Sequence, residues 1–66
     1  MAIAKIIEIS ASSATSFEDA VKQGLAKAAE TVHGIKGAWI AEQKVEVEDG
    51  AIVEYRVDMR VSFLVD

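Results

Sequence analysis

Residues 51–65 alternate apolar and polar side chains with a period of two. The apolar positions are Val53, Tyr55, Val57, Met59, Val61, Phe63 and Val65. A period of two is typical of a strand that has one face against a core and the other in water. The pattern predicts one long strand over residues 51–65.

Two earlier segments also predict strands. Residues 3–10 are rich in β-branched side chains and run into the small polar segment SASSATS, which predicts a strand followed by a loop. Residues 39–48 alternate again: Trp39, Ala41, Val45 and Val47 are apolar, whereas Glu42, Lys44, Glu46 and Glu48 are charged. This second segment therefore predicts another strand, with its apolar row on one face.

The turn between the last two predicted strands has two alternatives. Its sequence Glu48-Asp49-Gly50 is typical of a three-residue hairpin loop with Gly50 in the left-handed region. That loop places the apolar rows of both strands on one face, where a helix can cover them. A two-residue Asp49-Gly50 turn would place the rows on opposite faces. The polarity pattern favours the three-residue loop.

Residues 17–34 have the spacing of an amphipathic helix. Its apolar stripe consists of Phe17, Ala20, Val21, Gly24, Leu25, Ala28 and Val32, at intervals of three and four. The helix is expected to end near His33, with Gly34 in the left-handed position that follows many helices. His33 would then lie in the last turn, where a protonated imidazole interacts favourably with the helix dipole.

The start of this helix has two alternatives, and one glycine lies inside it. Thr15 with Glu18, or Ser16 with Asp19, would form a capping box, and the sequence does not distinguish these two registers. Gly24 costs about 1 kcal/mol relative to alanine in a helix interior. Its place in the apolar stripe predicts a close approach of the helix backbone to the sheet.

These elements follow the order β-α-β-β, which indicates an α+β fold with residues 1–66 in a single domain. A chain of 66 residues buries only about 60% of the surface that its unfolded form exposes. The chain has no cysteine and one histidine, so neither disulfides nor a Cys/His zinc site can supplement the core. With 52% hydrophobic residues, the chain is expected to assemble with copies of itself.

Charge and hydropathy limit the other partners. The net charge of −4 repels a phosphate backbone, so nucleic acid is not expected to bind. No apolar run approaches the roughly 20 residues of a membrane span, and the first ten residues lack the pattern of a secretory signal. The sequence therefore predicts a cytoplasmic protein with no membrane partner.

Residues that carry chemistry are few and scattered. Ser10, Ser12, Ser13 and Ser16 are expected to serve in a loop and a helix cap, since no partner histidine or nucleophile motif accompanies them. His33 is expected to be a helix-end residue. Without a base and nucleophile in a recognisable arrangement, the chain is predicted not to be an enzyme.

Several carboxylates lie near the predicted hairpin, namely Glu42, Glu46, Glu48 and Asp49. Calcium requires several oxygen ligands, and the spacing does not match a dedicated calcium loop. An alternating charged strand is usually a solvated face. In an oligomer, however, such rows can converge on a symmetry axis, where a divalent cation can bind; the ligands of such a site are unknown from the sequence.

The combination of these segments resembles the dodecin family. The resemblance covers nearly the whole chain: KIIEI as the first strand, SFEDAVKQGLAKAAETV as the helix, GAWIAEQKVEV as the second strand and EYRVDMRVSFLVD as the last. It implies a three-stranded antiparallel sheet wrapped around one helix. It also implies assembly of twelve copies into a hollow homododecamer.

The resemblance further implies binding of a flavin, riboflavin or FMN, for storage without turnover. In dodecins, flavins stack between tryptophans that a two-fold axis relates, and a glutamine of the last strand bonds the ring edge. Aligned without a gap, Gly37 occupies the stacking position, with Trp39 two residues later on the same face, about 7 Å along the strand. Arg56 occupies the glutamine position. Glu42 stands where the family has an acidic residue near the ribityl chain, and Lys44 where some members bind the phosphate.

A branch of the family lacks the stacking tryptophan, and some of its members are described as calcium-binding. This chain resembles that branch in its Glu42-Gln43 and Tyr55-Arg56 pairs. Two hypotheses follow. In the first, Gly37, Trp39 and Arg56 help to hold a flavin or another small aromatic ligand. In the second, the shell has lost flavin affinity and binds divalent cations or other ligands at its axes, with Trp39 as an interface or core anchor.

Overall fold

The computed structural model describes residues 3–65, which form three strands and one helix. In chain order these are β1 (Ile3–Ser13), α1 (Phe17–Ala29), β2 (Ile35–Glu48) and β3 (Ala51–Val65). The strands form one antiparallel sheet in the order β1-β3-β2, and α1 packs against β1 and β3. The predicted β-α-β-β order of an α+β fold, with an antiparallel sheet and one helix, is confirmed.

The core lies between α1 and the centre of the sheet. Val57, Met59 and Val61 of β3 and Ala20 of α1 are fully buried, which confirms the predicted period of two in this part of β3. The partly buried residues around them are Ile7, Ile9, Ala11, Phe17, Val21, Leu25 and Ile35. We call the face of the sheet that contacts α1 the inner face and the opposite face the outer face.

Gly24 lies where the helix approaches the sheet most closely. A Cβ atom at this position would lie 2.7 Å from Met59 Cε and 2.9 Å from Ala11 Cβ. Real Cβ atoms essentially never approach other atoms this closely. The predicted close approach at Gly24 is therefore confirmed.

The helix begins at the second of the two predicted registers. Ser16 is the N-cap, and its Oγ accepts a hydrogen bond from the backbone N–H of Asp19 at 3.0 Å. The Oγ of the buried Ser13 donates to Asp19 Oδ2 at 2.6 Å, which ties the end of β1 to the first turn of α1. These two bonds satisfy a backbone donor and a buried hydroxyl together.

Two predicted boundaries were wrong. The first strand continues to Ser13 instead of ending at Ser10, because β3 is long enough to pair with every residue of β1 up to the Ser13–Tyr55 pair. The helix ends at Ala29 instead of near His33. Glu30 and Thr31 donate to carbonyls three residues back, which tightens and closes the last turn.

As a consequence, His33 lies exposed beyond the helix end, so the prediction that it lies in the last turn of the helix was wrong. Gly34 does adopt a positive φ, 78°. Its role is different from the predicted one, because the helix has already ended. The Gly34 carbonyl accepts a hydrogen bond from Leu64 N–H at 3.1 Å, so this glycine turns the chain into β2 beside β3.

The β2–β3 turn is the shorter of the two alternatives, so the expected three-residue loop was wrong. Strand β2 ends at Glu48 and β3 begins at Ala51, which leaves Asp49 and Gly50 as the turn, with φ of 51° and 78°. Two positive φ values are the mark of a type I′ turn, whose twist matches that of the strands.

A bulge in β3 offsets the effect of this short turn on the apolar rows. Val47 pairs with Ile52, but Glu46 pairs with Glu54, so Val53 is an extra residue. The bulge moves the next residues of β3 by one position. Val45 therefore pairs with Tyr55, and these two lie on the same inner face as the sequence predicted.

A second bulge in β2 changes the face of the tryptophan. Ile40 pairs with Met59 and Glu42 pairs with Asp58, so Ala41 is an extra residue. Trp39 pairs with Arg60 and therefore points to the outer face, since directly opposed residues share a face. The prediction that Trp39 continues the apolar row of Val45 and Val47 was wrong, because this bulge reverses the alternation.

The β2–β3 hairpin makes the chain elongated. The molecule measures 52 × 20 × 13 Å, with a radius of gyration of 13.6 Å, against about 11 Å for a compact domain of this length. Apolar residues remain exposed on the hairpin, with exposed fractions of 55% for Val47, 50% for Ile52 and 41% for Ile40. A single copy therefore leaves apolar surface that other copies can cover.

Candidate functional site

The outer face of the β2–β3 hairpin is the candidate site. Its members are the residues that pair across the two strands on the side away from α1: Gly37 with Ser62, Trp39 with Arg60, Glu42 with Asp58, Lys44 with Arg56, and Glu46 with Glu54. All the residues that the sequence singled out for ligand binding belong to this set. The structure therefore brings Gly37, Trp39, Glu42, Lys44 and Arg56 onto one face.

This juxtaposition depends on the bulge at Ala41. In a regular strand, residues at odd and even positions point to opposite faces. Trp39 and Glu42 are three residues apart and would be on opposite faces without the extra residue. The bulge places the indole and the carboxylate on the same side, which sequence alternation alone did not predict.

A depression of about 280 Å³ lies at the middle of this face. It is lined by Glu42, Gln43, Lys44, Arg56 and Asp58. Three of the predicted residues therefore line it, and Gln43 and Asp58 are additions. The sequence did contain a signal for Asp58. Arg56, Asp58 and Arg60 are successive positions of the polar row of β3, and their charges alternate in sign.

Trp39 and Gly37 lie outside this depression, further along the hairpin. The indole of Trp39 is half-exposed at 44% and lies opposite Arg60. Next to it, a Cβ at Gly37 would meet, among the described residues, only Ser62 Oγ within 4 Å, at 3.5 Å. Gly37 therefore leaves open space on the outer face beside a partly exposed indole.

Charges surround the depression, and their ion pairs run along the strands. Lys44 Nζ lies 3.5 Å from Glu46 Oε1, and Arg56 Nη2 lies 3.3 Å from Glu54 Oε1. Hydrogen bonding by the Ser12 hydroxyl and by the Arg56 guanidinium lowers the pKa of Glu54 from its ordinary value of 4.5. Within residues 3–65, neither Glu42 nor Asp58 takes part in an ion pair.

The residues that the structure describes do not form a complete metal site within one copy. Among the described residues there is no group of three or more histidine, cysteine, aspartate or glutamate side chains that could hold a metal ion. The Glu42–Asp58 pair offers two carboxylates on adjacent strands. Further oxygen ligands would have to come from water or another copy, since calcium takes six to eight.

A second groove, of about 510 Å³, lies between β1 and α1. Its walls include Ile7, Ile9 and Ala11 on the strand and Gly24, Ala28 and Val32 on the helix side. The groove joins residues of β1 and α1 that are far apart in the sequence, so no local pattern predicted it. In the part of the chain that the structure describes, no helix is long and apolar enough to cross a membrane.

Comparisons with known proteins agree with this fold. Residues 3–66 match the family described as Dodecin. The calcium dodecin of Mycobacterium tuberculosis is 33% identical over 63 residues, which cover 96% of this chain and 89% of that protein.

Two solved structures have the same fold. Dodecin from Streptomyces davaonensis superposes with a TM-score of 0.92 at 25% identity, covering 98% of this chain and 96% of that one. The crystal structure of the M. tuberculosis calcium dodecin, described as having a novel calcium-binding site, superposes with a TM-score of 0.82 at 34% identity and covers 97% and 91% of the two chains. The chain belongs to the dodecin family.

Proposed function

We propose that this chain is an oligomeric binding protein that sequesters a flavin, riboflavin or FMN, on its outer face, without catalysing a reaction. The observation that carries the proposal is the bulge at Ala41. Because of this bulge, one exposed face carries the indole of Trp39, the open position at Gly37, the positively charged side chains of Lys44 and Arg56, and the carboxylate of Glu42. Such a face offers a surface for stacking and polar groups for orientation, which are what a planar polar ligand requires.

Each of these groups has a distinct role in the proposal. The face of Trp39 contacts the isoalloxazine ring, and Gly37 leaves room for the ring beside it. The guanidinium of Arg56 donates hydrogen bonds to the carbonyl edge of the ring. Glu42 accepts hydrogen bonds from ribityl hydroxyls, and Lys44 attracts the phosphate of FMN.

The ligand is held between copies of the chain. The outer face of one copy is open, with the Trp39 side chain 44% exposed, and such a face covers only one side of a ring. The dodecin resemblance supports assembly into a homododecamer. Each copy contributes one domain, residues 1–66. In that assembly a second copy covers the other side of the ligand. A cytoplasmic location, where flavin nucleotides are available, remains part of the prediction.

A divalent cation is the second candidate ligand. It is favoured by the Glu42–Asp58 pair, two directly opposed carboxylates that lack an ion pair within residues 3–65. A relative at 33% identity is named calcium dodecin. In this alternative, pairs of carboxylates from neighbouring copies and water molecules complete the coordination of calcium.

Titration of the purified apoprotein with riboflavin and with FMN tests the first proposal. We expect quenching of flavin fluorescence at micromolar protein, and a loss of most of this quenching in Trp39→Leu. Lys27→Gln, on the exposed side of α1, serves as a control that should bind like the wild type. Absence of quenching at micromolar protein, or undiminished quenching in Trp39→Leu, would remove the flavin proposal.

Calorimetric titration with calcium chloride tests the second candidate. Here Glu42→Gln and Asp58→Asn should each weaken binding, whereas Trp39→Leu should not. Calcium binding that is unaffected by both carboxylate changes would place the cation elsewhere.

A further inference from the structure

The open space beside Gly37 continues onto the first strand of the sheet. Gly37 lies opposite Ser62 of β3, and Ser62 lies opposite Ile6 of β1. These three residues form one row across the outer face, because directly opposed residues share a face. The neighbouring rows contain Trp39 on one side and Leu64 on the other. We call these five residues the Gly37 subsite.

The walls of the Gly37 subsite are apolar and open to solvent. Ile6 is 55% exposed and Leu64 is 43% exposed, and the half-exposed indole of Trp39 completes the walls. Covering apolar surface is favourable by about 25 cal/mol per Å² that is removed from water. A flat aromatic ring placed over Gly37 would cover apolar side chains in the rows on either side of it.

One polar side chain lies at the floor of this subsite. A Cβ built at Gly37 would lie 3.5 Å from Ser62 Oγ, so the Ser62 hydroxyl borders the open space. This hydroxyl donates a hydrogen bond to the carbonyl oxygen of Gly37 at 3.3 Å. A serine hydroxyl has one hydrogen and two acceptor lone pairs. Because its hydrogen is directed to the Gly37 carbonyl, Ser62 offers a hydrogen-bond acceptor to a ligand in the space.

The polar side chains of the next row on β2 and β3 supply donors instead. Trp39 and Arg60 lie opposite each other in this row, and the indole and the guanidinium carry N–H donors but no acceptor. The imide edge of a flavin ring presents an N–H group between two carbonyl groups. The donors of Trp39 and Arg60 suit the carbonyl groups, whereas the imide N–H requires an acceptor.

We propose that Ser62 accepts the hydrogen bond of the imide N–H of the flavin ring and thereby makes the site specific for planar rings that carry this N–H. The inference rests on the proposed flavin binding and adds to it the residue that determines which rings are accepted. The imide edge lies over Ser62, and the apolar body of the ring contacts Ile6 and Trp39. A site that is built to bond an N–H group discriminates against an analogue that lacks it, because the acceptor is then left without a partner.

A comparison of riboflavin with 3-methylriboflavin tests this role in the wild-type protein. In 3-methylriboflavin a methyl group replaces the imide hydrogen, while the fluorescent ring system is retained. A hydrogen bond contributes about 0.5–1.5 kcal/mol net, so the Kd for 3-methylriboflavin should be about 2- to 10-fold higher than the Kd for riboflavin. Fluorescence titration with apoprotein measures both values. Equal values in the wild type would overturn the role of Ser62 without removing flavin binding.

Substitutions of Ser62 assign this preference to its hydroxyl. Ser62→Ala should bind the two flavins equally, whereas Ser62→Thr retains a hydroxyl and should keep the preference for riboflavin. The ratio of the two Kd values is the decisive quantity. If Ser62 only supported the strand through its bond to Gly37, its loss would weaken both flavins alike and leave the ratio unchanged. Ser10→Ala is the matched control, because Ser10 lies opposite Asp58 on the same face, two rows or about 14 Å from Ser62.

Glu8 is the acceptor that competes with Ser62 for this role. It lies opposite Arg60 on β1, in the row next to the Gly37 subsite. We expect Glu8→Gln and Ser10→Ala to keep the wild-type ratio. A preference for riboflavin that persists in Ser62→Ala, or that disappears in Glu8→Gln, would overturn the role of Ser62. A wild-type protein that binds neither flavin would overturn the proposed function together with this inference.

Discussion

Replacing Gly37 with tryptophan is expected to strengthen flavin binding. Gly37 lies on the outer face beside Trp39, and a Cβ there would make one ordinary contact, with Ser62 Oγ at 3.5 Å. Its φ lies outside the left-handed region, so a larger residue fits the backbone without strain. The dodecin resemblance places the family's stacking tryptophan at this position.

The size of the effect follows from the contact that the new ring would make. Stacking of a flat heterocycle on an aromatic side chain contributes about 1–3 kcal/mol. Since about 1.4 kcal/mol changes a dissociation constant tenfold, Gly37→Trp should lower the Kd for riboflavin by about 5- to 150-fold. Replacing a strand glycine also removes a local weakness of up to about 1 kcal/mol, so the variant should fold at least as well as the wild type.

Fluorescence titration of riboflavin with apoprotein measures the change. Gly37→Leu is the matched control, because it adds apolar bulk at the same position without an aromatic face. We expect Gly37→Trp to bind riboflavin more tightly than Gly37→Leu, and Gly37→Leu to bind it about as tightly as the wild type. If Gly37→Trp and Gly37→Leu bind riboflavin equally, this part of the outer face is not a stacking surface, and the reasoning is refuted.

Two further predictions concern packing and pH. Gly24→Ala gains about 1 kcal/mol of helix propensity but forces a Cβ to 2.7 Å from Met59 Cε and 2.9 Å from Ala11 Cβ. Overpacking of this kind costs about 1–3 kcal/mol. Urea unfolding should therefore show a net loss of up to about 2 kcal/mol, and a gain would contradict the close approach. The pKa of Glu54 is lowered in the folded state, so its ionised carboxylate stabilises the fold above pH 4.5. This stabilisation is lost as the pH falls below 4.5 and the carboxylate is protonated. Arg56→Gln should raise the pKa of Glu54 in an NMR titration, and an unchanged value would contradict the pairing.

The sequence by itself determined which segments are helix and which are strand. Two patterns show which side chains face an apolar layer: the alternation in residues 51–65 and the spacing of three and four residues after Phe17. Both patterns can be read from residues that are close together in the sequence. The position of Gly24 in the apolar stripe also indicated its close contact with the sheet, because a helix interior tolerates glycine only at a cost. The candidate binding residues were named from a family resemblance, and their roles remain proposals.

Only the tertiary structure decided which face each β2 residue occupies. The bulges at Ala41 and Val53 have no strong local signature, since alanine and valine are ordinary strand residues. The Val53 bulge restores the register of the apolar rows after the two-residue turn, whereas the Ala41 bulge turns Trp39 away from the row of Val45 and Val47. Trp39 therefore lies beside Glu42 on the outer face through pairing with β3, and no pattern within β2 alone contains that pairing.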